Sequence, residues 1–199
     1  MKRFIKPIIS LLLLIVMLTG VMTSCGRKKE YVKLTIEGLG DIVIQLDYES
    51  APKTCENFVK LVDEGFYDGL TFHRVIENFM IQGGCPKADG TGNAGYTIPG
   101  EFFYNGWANN HINHTRGVVS MARGSYSMDS ASCQFFIVVA DYPSLNGQYA
   151  AFGYVIEGMD VVDAIVEGTA HLAISNGMGI PKESQARIEK AESFYKWNN

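Results

Sequence analysis

Residues 72–84 read FHRVIENFMIQGG, an apolar segment that carries an arginine and a glutamine where a plain core strand would carry neither. Its first part, with residues 70–76, is rich in β-branched and aromatic side chains and predicts a strand. A second short strand is predicted to hold Met80 and Gln82 on one face. The glycines at 83–84 end it, because glycine permits a turn or a close approach of backbone.

Alternation with period two predicts which side chains of the first strand lie together. Phe72, Arg74 and Ile76 are expected to share one face. His73 and Val75 are expected to take the opposite face, where His73 would be a buried, hydrogen-bonded histidine rather than a catalytic one.

A second polar strand matches the first. Residues 132–139 read SCQFFIVV, and alternation places Gln134 and Phe136 on one face. Two strands that each present an amide and a large apolar side chain could form an apolar pocket with polar contacts, and Arg74 would lie beside it. That combination is typical of a groove that binds a peptide or another ligand.

Five short motifs follow one another along the chain: FHRVI at 72–76, FMIQGG at 79–84, SMAR at 120–123, QFFI at 134–137 and FG at 152–153. In order and spacing they resemble the cyclophilin-type peptidyl-prolyl isomerases, and the similarity runs from about Val32 to at least Ala164. The resemblance implies a mainly β fold, a closed eight-stranded antiparallel β-barrel capped by two α-helices, with the site on the outer wall. It also implies a monomer that needs no metal or other cofactor.

The resemblance assigns roles to ten residues of this chain. Arg74 matches the family's catalytic arginine. Gln82 would orient Arg74 and the peptide, and Gln134 would contact the substrate backbone. Arg123 stands where asparagine is more familiar, and with Ala122 it would offer backbone groups to the peptide. The residues implied to wall the apolar pocket for the proline ring are Phe79, Met80, Phe136, Leu145 and Tyr149.

Two functions remain open at this point. The first is an enzyme that rotates Xaa-Pro peptide bonds and assists the folding of exported proteins. The second is a non-catalytic module or holdase chaperone that grips proline-containing segments. Arg74 favours the enzyme, because binding alone has little use for a donor aimed at the amide nitrogen.

One departure from the family bears on inhibitor binding. Ser144 stands where members that bind cyclosporin have a tryptophan. Loss of an indole removes both apolar area and an N–H donor, so we expect weak cyclosporin binding with isomerase activity retained.

The N-terminus resembles a bacterial lipoprotein signal. Three basic residues precede an apolar run at 8–18, which is short for a membrane span, and small residues lead into Cys25. We therefore expect cleavage after residue 24, acylation of Cys25, a polar tether at 25–30 and the isomerase domain at 31–199. Met22, where leucine is usual, leaves an ordinary signal peptide or an uncleaved anchor as alternatives. The expected location is the bacterial cell envelope, anchored by lipid and facing the periplasm or the exterior.

Charge argues against nucleic acid as a partner. The net charge of the whole chain is −4, and the first 24 residues hold three basic residues and no acidic ones, so the mature chain carries −7. Such a chain is not suited to phosphate contacts.

Cysteine and histidine spacing is less informative. Cys85 and Cys133 could pair in an oxidising compartment. His111 and His114 lack a third metal ligand, so no metal site is predicted.

The remaining elements follow from local patterns. A hairpin is predicted from residues 31–36 and 41–47, and further strands at 117–122, 134–140 and 150–155. A helix is expected to begin with Ser50 as N-cap and Pro52 in its first turn, and to stop at Gly65. A second helix is predicted at 159–166. Residues 85–114 predict a long ordered loop. Residues 185–193 have helical composition, whereas the resemblance favours a strand.

Overall fold

The computed structural model describes residues 29–172 and 179–196, which build one eight-stranded antiparallel sheet and two α-helices. The sheet has the strand order β3-β4-β6-β5-β7-β2-β1-β8. The predicted strands recur within about two residues of their predicted ends. The strands are β1 Lys29–Ile36, β2 Gly40–Leu46, β3 Phe72–Ile76, β4 Met80–Gly83, β5 Val118–Met121, β6 Phe135–Val138, β7 Ala151–Glu157 and β8 Ile188–Lys196; the helices are α1 Pro52–Asp63 and α2 Met159–Thr169.

The main core lies between the inner face of the sheet and the two helices. Alternate residues of the strands point into it, as on β1, where Val32, Leu34 and Ile36 are buried. Phe58 of α1 lies 5.3 Å from Phe135, ring centroid to ring centroid. A second, smaller apolar cluster packs around Met80, Val138, Phe136, Leu145, Ile112, Val118 and Ala151.

The expectation of a closed barrel is wrong, because the edge strands β3 and β8 do not pair in a ladder. Near the starts of these strands, Thr71 and Arg187 form an isolated bridge, and the N–H groups of Phe72 and Ile188 donate to the carbonyls of Ala186 and Leu70. Beside β3, Ile180 donates its N–H to the carbonyl of His73, and a 3₁₀ turn at Lys182–Ser184 then diverts the chain. β8 begins only at Ile188. The segment at 180–187 therefore forms separate hydrogen bonds with the edge of β3 instead of a continuous ladder, and the sheet stays open.

A bulge in β3 overturns the predicted alternation. The pairing of β3 with β4 shifts register between Phe72 and Arg74. Phe72 therefore packs in the main core together with Val75, and does not share the face of Arg74. A bulge adds one unpaired residue and re-aims the side chains that follow it, which period-two counting cannot anticipate.

The start of α1 also differs from its prediction. The helix has Ala51 rather than Ser50 at its N-cap and no side-chain cap from its own sequence. Glu101, from the long loop, accepts hydrogen bonds from the N–H groups of Lys53 and Thr54 at 3.0 and 2.8 Å. A buried carboxylate from a distant segment thus caps the helix.

The C-terminal half resolves the remaining alternatives. The ambiguous tail forms strand β8, as the resemblance favoured, and α2 extends to Thr169, beyond its predicted end.

Cys25 and the signal-like segment lie outside the described residues. Within residues 29–172 and 179–196, no helix is long and apolar enough to cross a membrane.

Candidate active site

A row of polar side chains crosses three neighbouring strands. Arg74 on β3 faces Gln82 on β4, and Gln82 in turn faces Phe136 on β6. The Arg74 Nη1 donates to Gln82 Oε1 at 3.3 Å, and Gln82 Nε2 donates to Gln134 Oε1 at 2.9 Å. Strand pairing therefore joins residues that are far apart in sequence and orients the guanidinium through two amides.

The row ends on the backbone of the long loop. Gln134 Nε2 donates to the carbonyls of Gly90 and Gly92 at 2.9 and 2.8 Å. The backbone of Gly92 has a second contact, because its N–H donates to the sulfur of Cys85 at 3.2 Å. Cys85 and Cys133 are both buried free thiols in this structure. The loop and the amides thereby hold each other.

An apolar pocket lies beside the polar row. Met80, Phe136 and Leu145 are buried members of the smaller cluster, so their side chains form its floor. The Tyr149 ring meets Phe136 edge-on at 5.6 Å between centroids. Phe79 is partly buried, with its ring centroid 6.0 Å from the Arg74 Cζ. A compact apolar ring such as that of proline could enter such a pocket with a cation at its rim.

Nine of the ten residues predicted for the groove line one cavity of about 380 Å³. The tenth, Gln134, lines an adjoining cavity of about 300 Å³ that shares Gln82, Ala122 and Arg123 with the first. The structure thus brings the predicted set together, and the roles assigned to its members stay predictions. The nine are Arg74, Phe79, Met80, Gln82, Ala122, Arg123, Phe136, Leu145 and Tyr149.

Sequence reasoning missed four residues that also line the larger cavity. Asp89, Gly90 and Thr91 come from the long loop, which was predicted to be ordered but was given no place in the groove. The fourth is His73, which the β3 bulge brings towards the cavity despite its predicted position on the opposite face. The excess of glycine in the loop was the one available signal, since it indicates close approach of backbone.

Two buried histidines lie under the groove. His73 is buried as predicted, but neither of its ring nitrogens has a hydrogen-bond partner within the described part of the chain, so the predicted hydrogen bond is not found there. Burial lowers the pKa of His73 to about 4, and the neighbouring Arg74 charge acts in the same direction. His114 stacks on Phe136 with its Nε2 3.1 Å from Ser120 Oγ, and burial lowers its pKa to about 4 as well.

Burial also acts on the arginine of the groove. Desolvation lowers the pKa of Arg74 from its usual value, while the nearby Tyr149 opposes that shift. Because the usual pKa of arginine lies far above neutral pH, the guanidinium keeps its charge there despite this lowering. Arg74 is therefore a permanent, half-buried cation next to an apolar pocket.

The residue at the expected tryptophan position does not reach the groove. Ser144 is exposed in a 3₁₀ turn at Pro143–Leu145, and its carbonyl accepts a hydrogen bond from Gln148. Tyr142, two residues earlier, instead packs against Phe79, with the ring centroids 4.3 Å apart and the planes tilted by 40°. This rim is therefore built around a tyrosine.

The sheet and groove define a class of protein: an antiparallel β-sheet protein with an apolar groove beside an oriented guanidinium. The chain belongs to the family described as cyclophilin type peptidyl-prolyl cis-trans isomerase/CLD, whose model matches residues 31–192. It is accordingly an enzyme of the peptidyl-prolyl cis-trans isomerase class.

Individual relatives agree with this assignment. The chain is 44% identical over 131 residues to a peptidyl-prolyl cis-trans isomerase of Helicobacter pylori, covering 65% of this chain and 76% of the relative. It is 44% identical over 133 residues to peptidyl-prolyl cis-trans isomerase B of Bacillus subtilis, covering 67% and 88%.

Solved structures show the same fold. A cyclophilin-type isomerase of Cryptosporidium parvum superposes with a TM-score of 0.70 at 27% identity, covering 86% of this chain and 99% of that one. A second structure of that protein, determined in the presence of the dipeptide Ala-Pro, gives a TM-score of 0.67 at 27% identity, covering 81% and 96%.

Proposed function

We propose that Arg74 is the catalytic residue of this isomerase, and that the enzyme acts on Xaa-Pro bonds of exported proteins at the bacterial cell envelope. The proposed substrates are proline-containing segments of unfolded chains. The pocket floored by Met80, Phe136 and Leu145 would receive the proline ring, and a single copy of the chain would suffice.

The chemistry follows from the twisted transition state. Rotation about an Xaa-Pro bond is slow, because amide resonance is lost at a barrier of about 20 kcal/mol. The nitrogen of the twisted amide becomes pyramidal and gains a lone pair, which the planar ground state lacks. A donor aimed at that lone pair stabilises the transition state more than the ground state, which is what catalysis requires.

The observation that carries the proposal is the support behind Arg74. Its contact to Gln82, continued through Gln134 to the loop carbonyls, orients the guanidinium before substrate arrives. A donor that is already oriented loses little free energy in reorganising during the reaction. The same half-buried site strengthens its interaction with a developing lone pair.

The test is the cis-to-trans isomerisation of a short Ala-Pro peptide by the full chain in detergent. We expect wild type to accelerate it, and Arg74→Ala to lose about 100- to 1000-fold in kcat/KM, as for removal of one transition-state donor. Arg74→Lys keeps the positive charge but lacks the planar set of N–H donors of the guanidinium, and should recover only part of the rate. Circular dichroism and thermal unfolding check that both variants fold.

A well-folded wild type that is no faster than buffer would contradict the enzyme and favour the alternative of a binding module. Peptide affinity would then be measured by calorimetry. Unchanged activity in Arg74→Ala would remove Arg74 from the mechanism and leave the isomerase in place.

The envelope location rests on the signal-like segment before Cys25. Several acyl chains on one cysteine would hold the enzyme at a membrane durably, since one chain alone binds only marginally. Metabolic labelling with an alkyne fatty acid should tag wild type and not Cys25→Ser, and fractionation should move the variant out of the membrane. Equal labelling of both would contradict acylation of Cys25.

A further inference from the structure

Arg123 lies where three surface cavities meet. Arg123 lines the cavity that contains Arg74, the adjoining cavity that contains Gln134, and a third cavity bordered by Phe102 and Met128. Residues of an extended peptide follow each other at about 3.3 Å. A peptide with its proline in the first cavity would therefore carry a nearby residue past Arg123.

The side chain of Arg123 is held in place. Its Nε donates to the carbonyl of Gln148 at 3.0 Å, and its Nη1 donates to the carbonyl of Gly124 at 3.2 Å. Its Cζ lies 4.9 Å from the ring centroid of Tyr149 and 5.3 Å from that of Phe102. Two aromatic rings and two carbonyls thus fix a guanidinium at the end of the pocket.

That guanidinium retains unused binding capacity. An arginine has five N–H donors, and the two carbonyls engage two of them. Among residues 29–172 and 179–196, no carboxylate forms an ion pair with Arg123. The acid lining the same cavity, Asp89, is engaged by its own loop through the N–H and hydroxyl of Thr91.

The local charge is therefore opposite to that of the whole molecule. The chain is acidic, with a net charge of −4, yet the cavity that contains Arg74 combines Arg74 and Arg123 with the single acid Asp89. Arginine binds carboxylates through paired N–H groups, and a pre-ordered side chain loses little entropy when it does so.

We propose that Arg123 is a specificity residue, which binds the carboxylate of an Asp or Glu close to the proline in the client polypeptide. This inference rests on the proposed function, since it needs a peptide in the groove. It assigns to the side chain a role beyond the backbone contacts expected at Ala122-Arg123. The substrate class is then acidic Xaa-Pro segments.

The experiment compares peptides rather than variants alone. Matched proline peptides carry Glu, Gln or Lys at one position at a time, either of the two before the proline or of the two after it, with Ala at the other positions. The value of kcat/KM is measured for each peptide with the full chain in detergent. We expect wild type to prefer the best-placed Glu peptide over its Gln counterpart by about two- to fivefold, the range of a partly exposed ion pair. The preference should shrink as salt is raised from about 0.05 to 0.5 M.

Charge variants then assign the preference. Arg123→Gln should bring the Glu-to-Gln ratio close to one, Arg123→Lys should keep part of it, and Arg123→Glu should reverse it in favour of the Lys peptide. The ratio is taken within each variant, so a general loss of activity cancels. Lys33→Gln, which removes one positive charge from β1, is the matched control and should leave the ratio as in wild type.

A merely structural role could lower activity, but could not invert the preference. A ratio of one in wild type at every position, or a ratio that survives in Arg123→Gln, would overturn the inference, and the second result would assign the preference to Arg74. Turnover of the neutral peptide without a Glu preference refutes this inference and leaves the isomerase intact. If no peptide is turned over, the proposed function fails, and the same ratios measured as affinities by calorimetry decide the role of Arg123.

Discussion

The polar row on β3, β4 and β6 and the loop at 85–116 use polar groups in opposite ways. The row keeps Arg74, Gln82 and Gln134 half-buried and directed at the groove. The loop instead buries Glu101, which is 1% exposed, against the start of α1. The row thus directs its polar groups at the groove, whereas the loop uses the charge of Glu101 to hold the start of α1. Substitutions in the two regions should separate activity from stability.

The largest expected effect is a loss of stability on substitution of His114, where the loop passes under the strands. Its pKa is about 4 in the fold against about 6.5 for a free histidine, so the unfolded chain binds more protons between these pH values. Stability therefore falls as pH drops from 6.5 to 4, by about 3 kcal/mol for this one group. His114→Gln removes that contribution.

The measurement is urea unfolding of wild type and His114→Gln at several pH values. We expect the variant to be less stable than wild type at pH 7. The difference between their free energies of unfolding should narrow by about 3 kcal/mol as pH falls to 4. His111→Gln, the same change at an exposed position of the loop, is the control. A gap that stays constant between pH 6.5 and 4 would show that His114 is not held neutral.

The cap of α1 comes next. Glu101→Ala leaves the N–H groups of Lys53 and Thr54, and the Thr54 hydroxyl, without their acceptor. We expect a loss of about 2 kcal/mol in the free energy of unfolding, with kcat/KM per folded molecule close to wild type. Glu101→Gln keeps one acceptor oxygen and should lose less. A large loss of activity at full stability would place the loop cap in the catalytic machinery.

The junction between the two regions is Gln134. Gln134→Leu removes the acceptor of Gln82 and the donor to Gly90 and Gly92, while it keeps similar volume. We expect kcat/KM to fall about tenfold, roughly 1.4 kcal/mol, because Arg74 loses orientation. Stability should change little, since the side chain is half-buried. A variant that is destabilised but fully active would show that Gln134 serves the loop alone.

The groove could be predicted to a large extent from sequence, because the family motifs include Arg74, Gln82 and Phe136, which strand pairing brings together. Features that depend on distant segments could not. The bulge that separates Phe72 from Arg74 adds a residue without any signal in composition.

The same limit explains the other errors. The helix start carried a reasonable cap in Ser50, but the carboxylate that caps α1 is Glu101, far along the chain. The open sheet follows from where residues 180–187 run beside β3. In each case the deciding contact is long-range, and local patterns contain no information about it.

The smallest expected effect concerns the rim beyond the row. Ser144 is exposed and adds no apolar area to the groove, and the neighbouring Tyr142 covers Phe79 instead. We therefore expect cyclosporin to inhibit wild type only weakly. Ser144→Trp would supply an indole with its N–H next to Leu145, and should tighten inhibition about tenfold or less. Ser144→Leu adds apolar area without the donor and separates the two contributions. Sub-micromolar inhibition of wild type would contradict this expectation, and would mean that the Tyr142–Phe79 pair already supplies the contact that the indole supplies elsewhere.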